Sequence, residues 1–337
     1  MSAVKLTDVA QRAGVSLATA SRVLNGSQRT PGETIAHKVR VAAEELGYVA
    51  NAQAQALARS VTGLIGLVVH DIADPYFSTI IRGAQRFARD HRSQVLLAGT
   101  DRDEQAELDA VRAFASYRTD AIVLAGSRGQ HQDVALTREL EHYTANGGRV
   151  VTFGHSTVSG ARVVEIRNRE GAQQLVASLV VRGVSRFAIL AGPRGLVTTR
   201  DRVAGYHDAL AEAGLNPLSV VDGEFTSQGG YASALSCWQE LGSAAQDNLC
   251  ILAVNDVMAL GAITALRSLG LNVPLDVQVA GFDDIPSLRD YAPALTTFRL
   301  PLEPIGEQAA ELALKAEWTA PVQIEGEVVI RDSAGQS

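Results

Sequence analysis

The chain has 337 residues, of which 46% are hydrophobic and 20% charged, and its formal net charge is −7. This length suffices for two or three packed units, whereas the longest apolar runs are too short to span a bilayer. The sequence has neither a secretory signal pattern nor a histidine cluster beside its two cysteines, so we expect a cytoplasmic protein with reduced thiols, no metal, no cofactor and no membrane partner.

Charge is distributed unevenly along the chain. Residues 1–60 contain seven basic and four acidic side chains and carry +3, whereas the rest of the chain carries −10. A mildly basic head on an acidic body is typical of a small anion-binding module attached to a larger carrier.

Residues 6–48 have apolar side chains at three- and four-residue spacings, which predicts three short helices. The first, within KLTDVAQRAG, ends at Gly14. Ser16 caps the second, which runs through Leu24, because its hydroxyl can accept an amide hydrogen near Thr19. The third, within TPGETIAHKVRVAAEELGY, ends at Gly47. Together the three helices predict one compact all-α bundle.

The next segment, NAQAQALARS at residues 51–60, favours helix but has one large apolar side chain, Leu57. Isolated helices of this length are marginal in water. We therefore expect this segment to become ordered only when a partner holds it.

After Val61 the pattern changes to alternating strands and helices. The predicted strands are short, continuous apolar runs: LIGLVVH, QVLLAG, AIVLAG, RVVTFG, RFAILAG and LCILAV. Such strands, separated by helices, predict parallel sheets covered on both faces. About ten strands are too many for one small sheet, so the pattern predicts two α/β subdomains.

The turn Gly14-Val15-Ser16 between the first two helices is typical of a helix-turn-helix, and Gly14 can adopt the positive φ that this turn needs. Small and polar side chains on the outer face of the second helix would let it lie deep in a DNA major groove. Those outward residues are Leu17, Ala18, Ser21, Arg22 and Asn25. The alternative is a small helical bundle whose alanines serve packing alone.

The stretch LTDVAQRAGVSLATASRVLNG, with VAAEELGYVANAQAQALARS after it, resembles the head and hinge of the lactose-repressor (LacI/GalR) family of bacterial transcription regulators. The similarity continues through DPYFSTIIRGAQ, RDRVAGYHDAL, VNDVMALGAITALRSLGLNVPLDVQVAGFDD and PALTTFRLPLEPIGEQAAELAL, and so covers nearly the whole chain. Ala20 departs from the valine that is usual at its position.

The resemblance implies three regions: a helix-turn-helix DNA-binding domain at 1–50, a hinge helix at 51–61, and an effector-binding and dimerisation domain at 62–337. In a dimer, two hinge segments would fold on DNA, and the paired Leu57 side chains would wedge into the minor groove. Packing against the body is the alternative for Leu57. The implied DNA contacts are Thr7, Ser16, Leu17, Ala18, Thr19, Ser21, Arg22, Asn25, Arg29, Asn51, Ala54 and Leu57.

The body resembles periplasmic sugar-binding proteins, which implies two subdomains with three crossings and an effector between them. We place the first subdomain at about 62–160 and 292–321, and the second at about 161–291 and 322–337. Ligands in such sheets bind beyond the carboxyl ends of the strands. The candidate effector contacts are therefore Asp74, Tyr76, Phe77, His155, Arg202, Phe225, Asn255 and Asp283, a set that fits a sugar or a nucleoside.

Structural roles compete with several of these assignments. Asp74 can start a helix instead, and Arg202 with Asp283 can form a structural ion pair. Asp256 is expected to start a helix, which leaves Asn255 as the ligand contact. The sequence departs from the family pattern at Arg167, at His155-Ser156 and at Leu300, and a group of arginines would favour an anionic ligand if it faced the cleft: Arg128, Arg167 and Arg200.

The function implied by the resemblance is that of a sequence-specific transcription regulator, with repression as the expected sign, whose affinity for DNA is set by a small-molecule effector. A homodimer reading a palindromic operator is the simplest assembly. The alternative is a sugar-binding protein without a role in gene regulation. An enzyme is not expected, because no G-x-G-x-x-G after a strand and no G-x-S-x-G turn occurs.

Overall fold

The computed structural model describes residues 4–25, 31–49, 61–129, 133–154, 156–242 and 248–335. The chain separates into two compact units, Met1–Gly63 and Leu64–Ser337. None of the helices in these described ranges combines the length and the apolar character needed to cross a membrane.

The first unit contains three helices: α1 (Leu6–Ala13), α2 (Leu17–Asn25) and α3 (Glu33–Glu45). Gly14 ends α1 with φ 65°, and its amide donates to the carbonyls of Ala10 and Gln11. The amide of Thr19 donates to the hydroxyl of Ser16 at 3.1 Å, which caps α2 as predicted. One apolar cluster joins the three helices, with Val9, Ala20 and Val39 fully buried.

The second unit contains two six-stranded sheets. The strands of the first sheet are β1 (Leu64–Val69), β2 (Gln94–Gly99), β3 (Ala121–Leu124), β4 (Arg149–Phe153), β5 (Arg162–Ile166) and β11 (Val322–Ile324). Their order is β11-β5-β4-β3-β1-β2, and all pairs are parallel. The helices that follow its strands in the chain or pack on it are α4 (Pro75–Asp90), α5 (Glu104–Ser116), α6 (Val134–Ala145) and α11 (Leu302–Leu314).

The second sheet has the order β12-β10-β9-β8-β6-β7. Its strands are β6 (Arg186–Ala191), β7 (Val220–Asp222), β8 (Leu249–Ala253), β9 (Gln278–Asp283), β10 (Thr296–Arg299) and β12 (Glu327–Val329). All pairs are parallel except β10 with β12. Its helices are α7 (Asn168–Val181), α8 (Val197–Glu212), α9 (Ser227–Leu241) and α10 (Asp256–Ser268). The predicted fold class, a helical head and a body of two α/β subdomains, is confirmed.

The expected subdomain bounds need correction at all three crossings. Strands β5 and β11, which we assigned to the second subdomain, pair with each other in the first sheet. Strand β10, assigned to the first subdomain, pairs with β9 in the second sheet. The chain therefore crosses after β5, after β10 and after β11. The reason is that strand pairing decides membership, and a short apolar strand has the same pattern in either sheet.

Candidate functional site

The strongest candidate pair lies at the carboxyl ends of the strands of the second sheet. The Nη2 atom of Arg202, on α8, donates to Oδ1 of Asp283 at 2.9 Å, where β9 ends. Both side chains are almost fully buried, with 3% and 4% exposed. A buried ion pair requires close geometry and further hydrogen bonds to offset the lost hydration.

Those further bonds come from two other elements. Nε of Arg202 donates to Oδ1 of Asn168 at 2.8 Å, and Nη1 donates to the carbonyl of Val254 at 2.6 Å. The guanidinium also lies over the Phe282 ring, 3.8 Å from its centre. Arg202 thus joins α7, α8 and the ends of two strands while three of its five N–H groups are in use. The site includes Asn168, which our sequence reasoning missed.

The environment of Asp283 is unusual in two ways. Burial raises the pKa of Asp283 to about 7, although the adjacent charge of Arg202 opposes that shift. Its φ of 117° lies where side chains are rarely found. Backbone strain of this kind is concentrated at ligand sites and persists because the surrounding structure enforces it. The surrounding structure therefore holds Asp283 in a backbone conformation that a residue with a side chain disfavours.

Asn255 and Asp256 both lie at the start of α10. Asp256 is the first residue of the helix, as expected, and Asn255 caps it, because its side chain accepts from the amide of Met258 at 2.9 Å. The assignment of Asn255 as a ligand contact stays a prediction. Asp256 is buried and accepts from the hydroxyl of Thr297 at 2.7 Å and from the amide of Ile285 at 2.8 Å. One residue of register separates a helix cap from the first helical position, and the apolar pattern does not distinguish them.

On the first subdomain's side of the cleft, α4 begins after β1. Asp74 caps this helix by accepting from the amide of Tyr76 at 2.9 Å, so the structural role that we considered for it is present. Burial and the negative charge of Asp283 raise the pKa of Tyr76, which puts this ring near the second subdomain's ion pair. Phe77 is only 4% exposed and packs edge-on against His70 and Tyr76, so it belongs to the hydrophobic core of the first subdomain.

His70, directly after β1, is a site residue that our sequence reasoning missed. Its Nε2 atom lies 3.0 Å from the carbonyl of Ser127, and the side chain is 7% exposed. Burial, aided by the positive charge of Arg102, lowers the pKa of His70 to about 4. The ring is therefore neutral near pH 7, with Nε2 donating and Nδ1 unprotonated. Its position at a strand end was the signal that could have identified it.

Arg102 follows β2, and it too was missed. Asp101 and Arg102 both have positive φ values, 49° and 63°. The guanidinium of Arg102 lies 5.1 Å from the centre of the Phe225 ring, which belongs to the second subdomain. Phe225 in turn packs closely on Gly192, where a Cβ would overlap the ring. Arg102 and Phe225 thus meet across the cleft, a contact that spacing along the chain does not reveal.

The two subdomains also meet through the main chain. The amide of Val197 donates to the carbonyl of Arg128 at 3.0 Å, and a β-bridge joins Gly129 to Leu196. The segment after β3 and the start of α8 are therefore hydrogen-bonded to each other, so the cleft is closed on this side.

The arginines considered for an anionic ligand all have carboxylate partners. Arg128 donates two hydrogen bonds to the carboxylate of Glu107, and the one from Nη1 to Oε2 is 3.2 Å long. The two other pairs are Arg167 with Glu325 at 3.6 Å and Arg200 with Asp201 at 2.7 Å. Because each charge is balanced locally, these three side chains do not form an anion site.

On the head, the outer face of α2 has the predicted character. Leu17 is 49% exposed, and Ala18 and Arg22 are exposed as well. Thr7 and Ser16 are exposed, and Thr19 and Ser21 are half-buried. The described residues do not include the side chain of Asn25, nor Arg29, Asn51, Ala54, Leu57 and His155.

Two family models match the chain: "Bacterial regulatory proteins, lacI family" at residues 5–51, and "Periplasmic binding protein-like domain" at residues 176–334. The HTH-type transcriptional regulator GalR of Escherichia coli (strain K12) is 34% identical over 313 residues, which cover 92% of this chain and 88% of GalR. The chain belongs to the lacI family of bacterial regulatory proteins.

Other relatives cover the same length. The regulator CelR of Thermobifida fusca is 32% identical, covering 96% of each chain, and the repressor PurR of Pasteurella multocida (strain Pm70) is 30% identical, covering 97% of this chain and 98% of PurR. The predicted lacI-family membership is thereby confirmed over the head and the body.

Solved structures of the family have the same fold. The lac repressor dimer bound to operator and the anti-inducer ONPF matches with a TM-score of 0.82 at 26% identity, covering 98% of this chain and 99% of that one. The CelR–cellobiose complex matches with a TM-score of 0.70 at 28% identity, covering 98% and 100%.

Proposed function

We propose that this lacI-family protein regulates transcription as a homodimer that binds a palindromic operator, and that a sugar or nucleoside in the body's cleft changes its affinity for DNA. The observation that carries the proposal is the buried Arg202–Asp283 pair at the strand ends, in a chain whose head exposes a helix-turn-helix. The protein works in the cytoplasm and binds its effector without converting it.

The head supplies the DNA contacts. Small exposed residues on α2, such as Ala18, allow the helix to approach the floor of the major groove. Arg22 donates a fork of hydrogen bonds to guanine or to a phosphate, and Leu17 contacts thymine methyl groups. Thr7, Ser16, Thr19, Ser21, Asn25 and Arg29 complete this surface.

The hinge couples the head to the body. In this proposal residues 1–50 form the DNA-binding domain, and residues 51–61 fold into a helix when two copies meet on DNA. The paired Leu57 side chains then enter the minor groove, with Asn51 and Ala54 beside them. Unstacking a base step costs a few kcal/mol, which the bend and the added contacts offset.

The effector class follows from the donors and acceptors in the cleft. Asp283 accepts hydrogen bonds from paired hydroxyl groups, Arg202 donates with its remaining N–H groups, and Phe225 covers an apolar face. Asp74, Tyr76, Asn255 and His155 are further candidate contacts. The family resemblance supports this class, since one relative is described in complex with cellobiose.

Regulation requires two arrangements of the subdomains that bind the effector with different affinity. The hydrogen bond from the Val197 amide to the Arg128 carbonyl joins the two subdomains at one edge of the cleft, so opening this edge would break it. An effector that favours closure therefore stabilises one arrangement of the subdomains, and the hinge segments at residues 51–61 respond to that arrangement.

The test is a DNA-binding titration by fluorescence anisotropy over a range of salt concentrations. An operator selected from random duplexes should bind at least about 10³-fold more tightly than unselected DNA, and its affinity should fall steeply with salt because phosphate contacts release counterions. Arg22→Ala should weaken operator binding, whereas Arg182→Ala, which removes an exposed charge from the body, should not. Equal affinity for all duplexes would overturn the proposal.

A further inference from the structure

The turn that follows β9 contains two consecutive acidic residues, Asp283 and Asp284. Their φ values are 117° and 57°, and their side chains are buried. Positive φ is uncommon for a residue with a side chain, and strained backbone persists only where the surrounding structure enforces it. A buried carboxylate also requires partners that replace its hydration. Arg202 meets this requirement for Asp283, so Asp284 needs partners of its own.

Three arginines surround the carboxylate of Asp284. Nε of Arg299 donates to Oδ2 at 2.7 Å, Nη1 of Arg331 lies 2.7 Å from Oδ1, and Nε of Arg289 lies 3.3 Å from Oδ2. Burial disfavours the charged form of Asp284, yet these arginines outweigh it and lower the pKa of this carboxyl. The ionised side chain is therefore held by three separate segments of the second subdomain, which we call together the Asp284 cluster.

The backbone on either side of Asp284 is anchored elsewhere. The carbonyl of Asp283 accepts from the amide of Leu300 at 3.2 Å, and the amide of Ile285 donates to Oδ2 of Asp256 at 2.8 Å. Asp284 is the one residue between these two anchors. Its side-chain contacts therefore determine whether the turn keeps its positive φ values and whether the Asp283 carboxylate keeps its direction.

Arg331 connects this turn to the end of the described chain. Its Nη1 atom also donates to the carbonyl of Leu295 at 2.8 Å, and its amide donates to the hydroxyl of Thr296 at 2.9 Å. Among the described residues, Arg331 forms no ion pair with Asp283, whose partner is Arg202. Any effect of Arg331 on Asp283 is therefore transmitted through Asp284.

We propose that the Asp284 cluster is a positioning device: it enforces the strained turn at Asp283 and thereby sets how tightly the cleft binds its ligand. Asp284 is only 1% exposed, so it acts through its neighbour and not by touching the ligand. This inference rests on the proposed function, because it assumes that Asp283 contacts the effector, and it adds residues outside the cleft that control the affinity.

Three variants separate positioning from a general structural role. Arg331→Gln removes one charge from the Asp284 cluster, and Arg331→Lys keeps it. Ser333→Ala is the matched control in the same segment. It removes a hydroxyl that donates to the Val279 carbonyl at 2.6 Å and accepts from the Thr296 amide at 2.8 Å, so we expect it to lower stability without disturbing the turn.

Hydrogen exchange measured by mass spectrometry on the full chain tests the turn without any ligand. In Arg331→Gln, peptides that contain Ile285 or Leu300 should exchange at least about 10-fold faster than in the parent, whereas peptides from β6 and β8 should not change, because only the turn opens. Arg331→Lys and Ser333→Ala should match the parent at Ile285 and Leu300. Arg299→Gln, whose side chain is 38% exposed, replaces Arg331→Gln if that variant does not fold.

Calorimetric titration of the same preparations tests the affinity. The probes are D-glucose, D-galactose, D-ribose, cellobiose and uridine. We expect the tightest probe to bind about 10-fold more weakly to Arg331→Gln, as when one hydrogen bond to a charged group is lost. Arg331→Lys and Ser333→Ala should stay within about 3-fold of the parent, because the charge beside Asp284 is still present.

Unchanged exchange at Ile285 and Leu300 in Arg331→Gln, unchanged affinity in that variant, or an equal loss of affinity in Ser333→Ala would overturn the inference. If the parent binds none of the five probes, the exchange comparison alone decides, with the same two results. Operator binding is measured alongside. A parent without operator preference refutes the proposed function, whereas a parent that prefers its operator and shows equal exchange in all variants refutes the positioning role alone.

Discussion

The two walls of the cleft are built differently. In the second subdomain, Arg202 and Asp283 are paired with each other, and Asn168 and the Val254 carbonyl hold the guanidinium from two further directions. In the first subdomain, His70 and Arg102 each have a buried polar atom with no partner in the described ranges. The protein's own contacts therefore fix the wall of the second subdomain, whereas two buried polar atoms of the first subdomain's wall have no partner among the described residues.

Because of this difference, substitutions on the two walls should affect the stability of the fold and the affinity for the ligand to different extents. Removing a group from the fixed wall leaves its partner buried and charged, so the fold itself is weakened. Removing His70 or Arg102 from the first subdomain's wall breaks no buried ion pair among the described residues. Substitutions on the two walls should therefore produce different ratios of lost stability to lost affinity.

The largest expected effect is that of Arg202→Ala. It leaves Asp283 buried without a counter-charge, so we expect the free energy of unfolding to fall by about 3–5 kcal/mol and probe binding to disappear. Urea denaturation with a calorimetric titration measures both. Arg169→Ala is the matched control. Arg169 on α7 pairs with Asp208 on α8 at the protein surface, where such a pair contributes at most about 1 kcal/mol. Equal losses in the two variants would contradict the fixed-wall assignment.

The next effect is a pH dependence of stability. The pKa of His70 is about 4 in the folded chain, against 6.5 for an ordinary histidine, because burial disfavours its charged form. Between these two pH values the unfolded chain binds a proton that the folded chain does not, so stability is full above pH 6.5 and is lost as the pH falls towards 4. The contribution is at most about 3 kcal/mol.

We expect urea denaturation of His70→Gln to show a correspondingly weaker loss of stability between pH 7 and pH 4. His142→Gln, at an exposed position on α6, serves as the control and should follow the parent. Parallel curves for the parent and His70→Gln would show that this ring is not held in its neutral form.

The smallest of the three effects concerns the contact across the cleft. A Cβ at Gly192 would overlap the ring of Phe225. Gly192→Ala should therefore displace this ring and cost about 1–3 kcal/mol of stability, as overpacking does, and it should weaken the binding of the sugar or nucleoside that the parent binds most tightly. Gly183→Ala, at a position where a Cβ meets open space, separates crowding from the loss of a glycine, although its positive φ adds strain of its own. Unchanged affinity in Gly192→Ala would remove Phe225 from the ligand site.

The sequence predicts the strand-end positions of this site because the carboxyl ends of parallel strands share one edge. Asp74, Tyr76, Arg202 and Asp283 were predicted in this way. The same rule applies to His70, which follows β1 directly, but a lone histidine after a strand does not reveal that one of its nitrogens lacks a partner. That property depends on the Ser127 carbonyl, which is 57 residues away in the chain.

Other features depend on pairing that no local pattern encodes. Strands β5 and β6 are both short and largely apolar, yet β5 lies in the first sheet and β6 in the second. The buried carboxylate of Asp256 accepts from the Thr297 hydroxyl and the Ile285 amide, which belong to segments 29 or more residues later in the chain. Asp101 and Arg102 turn the chain with positive φ values before Arg102 reaches Phe225, and arginine is not among the residue types that favour this conformation.

The central claim is that occupancy of the cleft changes the affinity of the head for its operator. The most direct test is to measure the affinity of the sugar or nucleoside that binds most tightly with and without saturating operator DNA, and the affinity of the operator with and without that ligand. Coupling through the hinges predicts that both affinities change, and by the same factor, typically about 5- to 150-fold. A probe that binds the cleft with the same affinity whether or not the operator is bound would contradict the account.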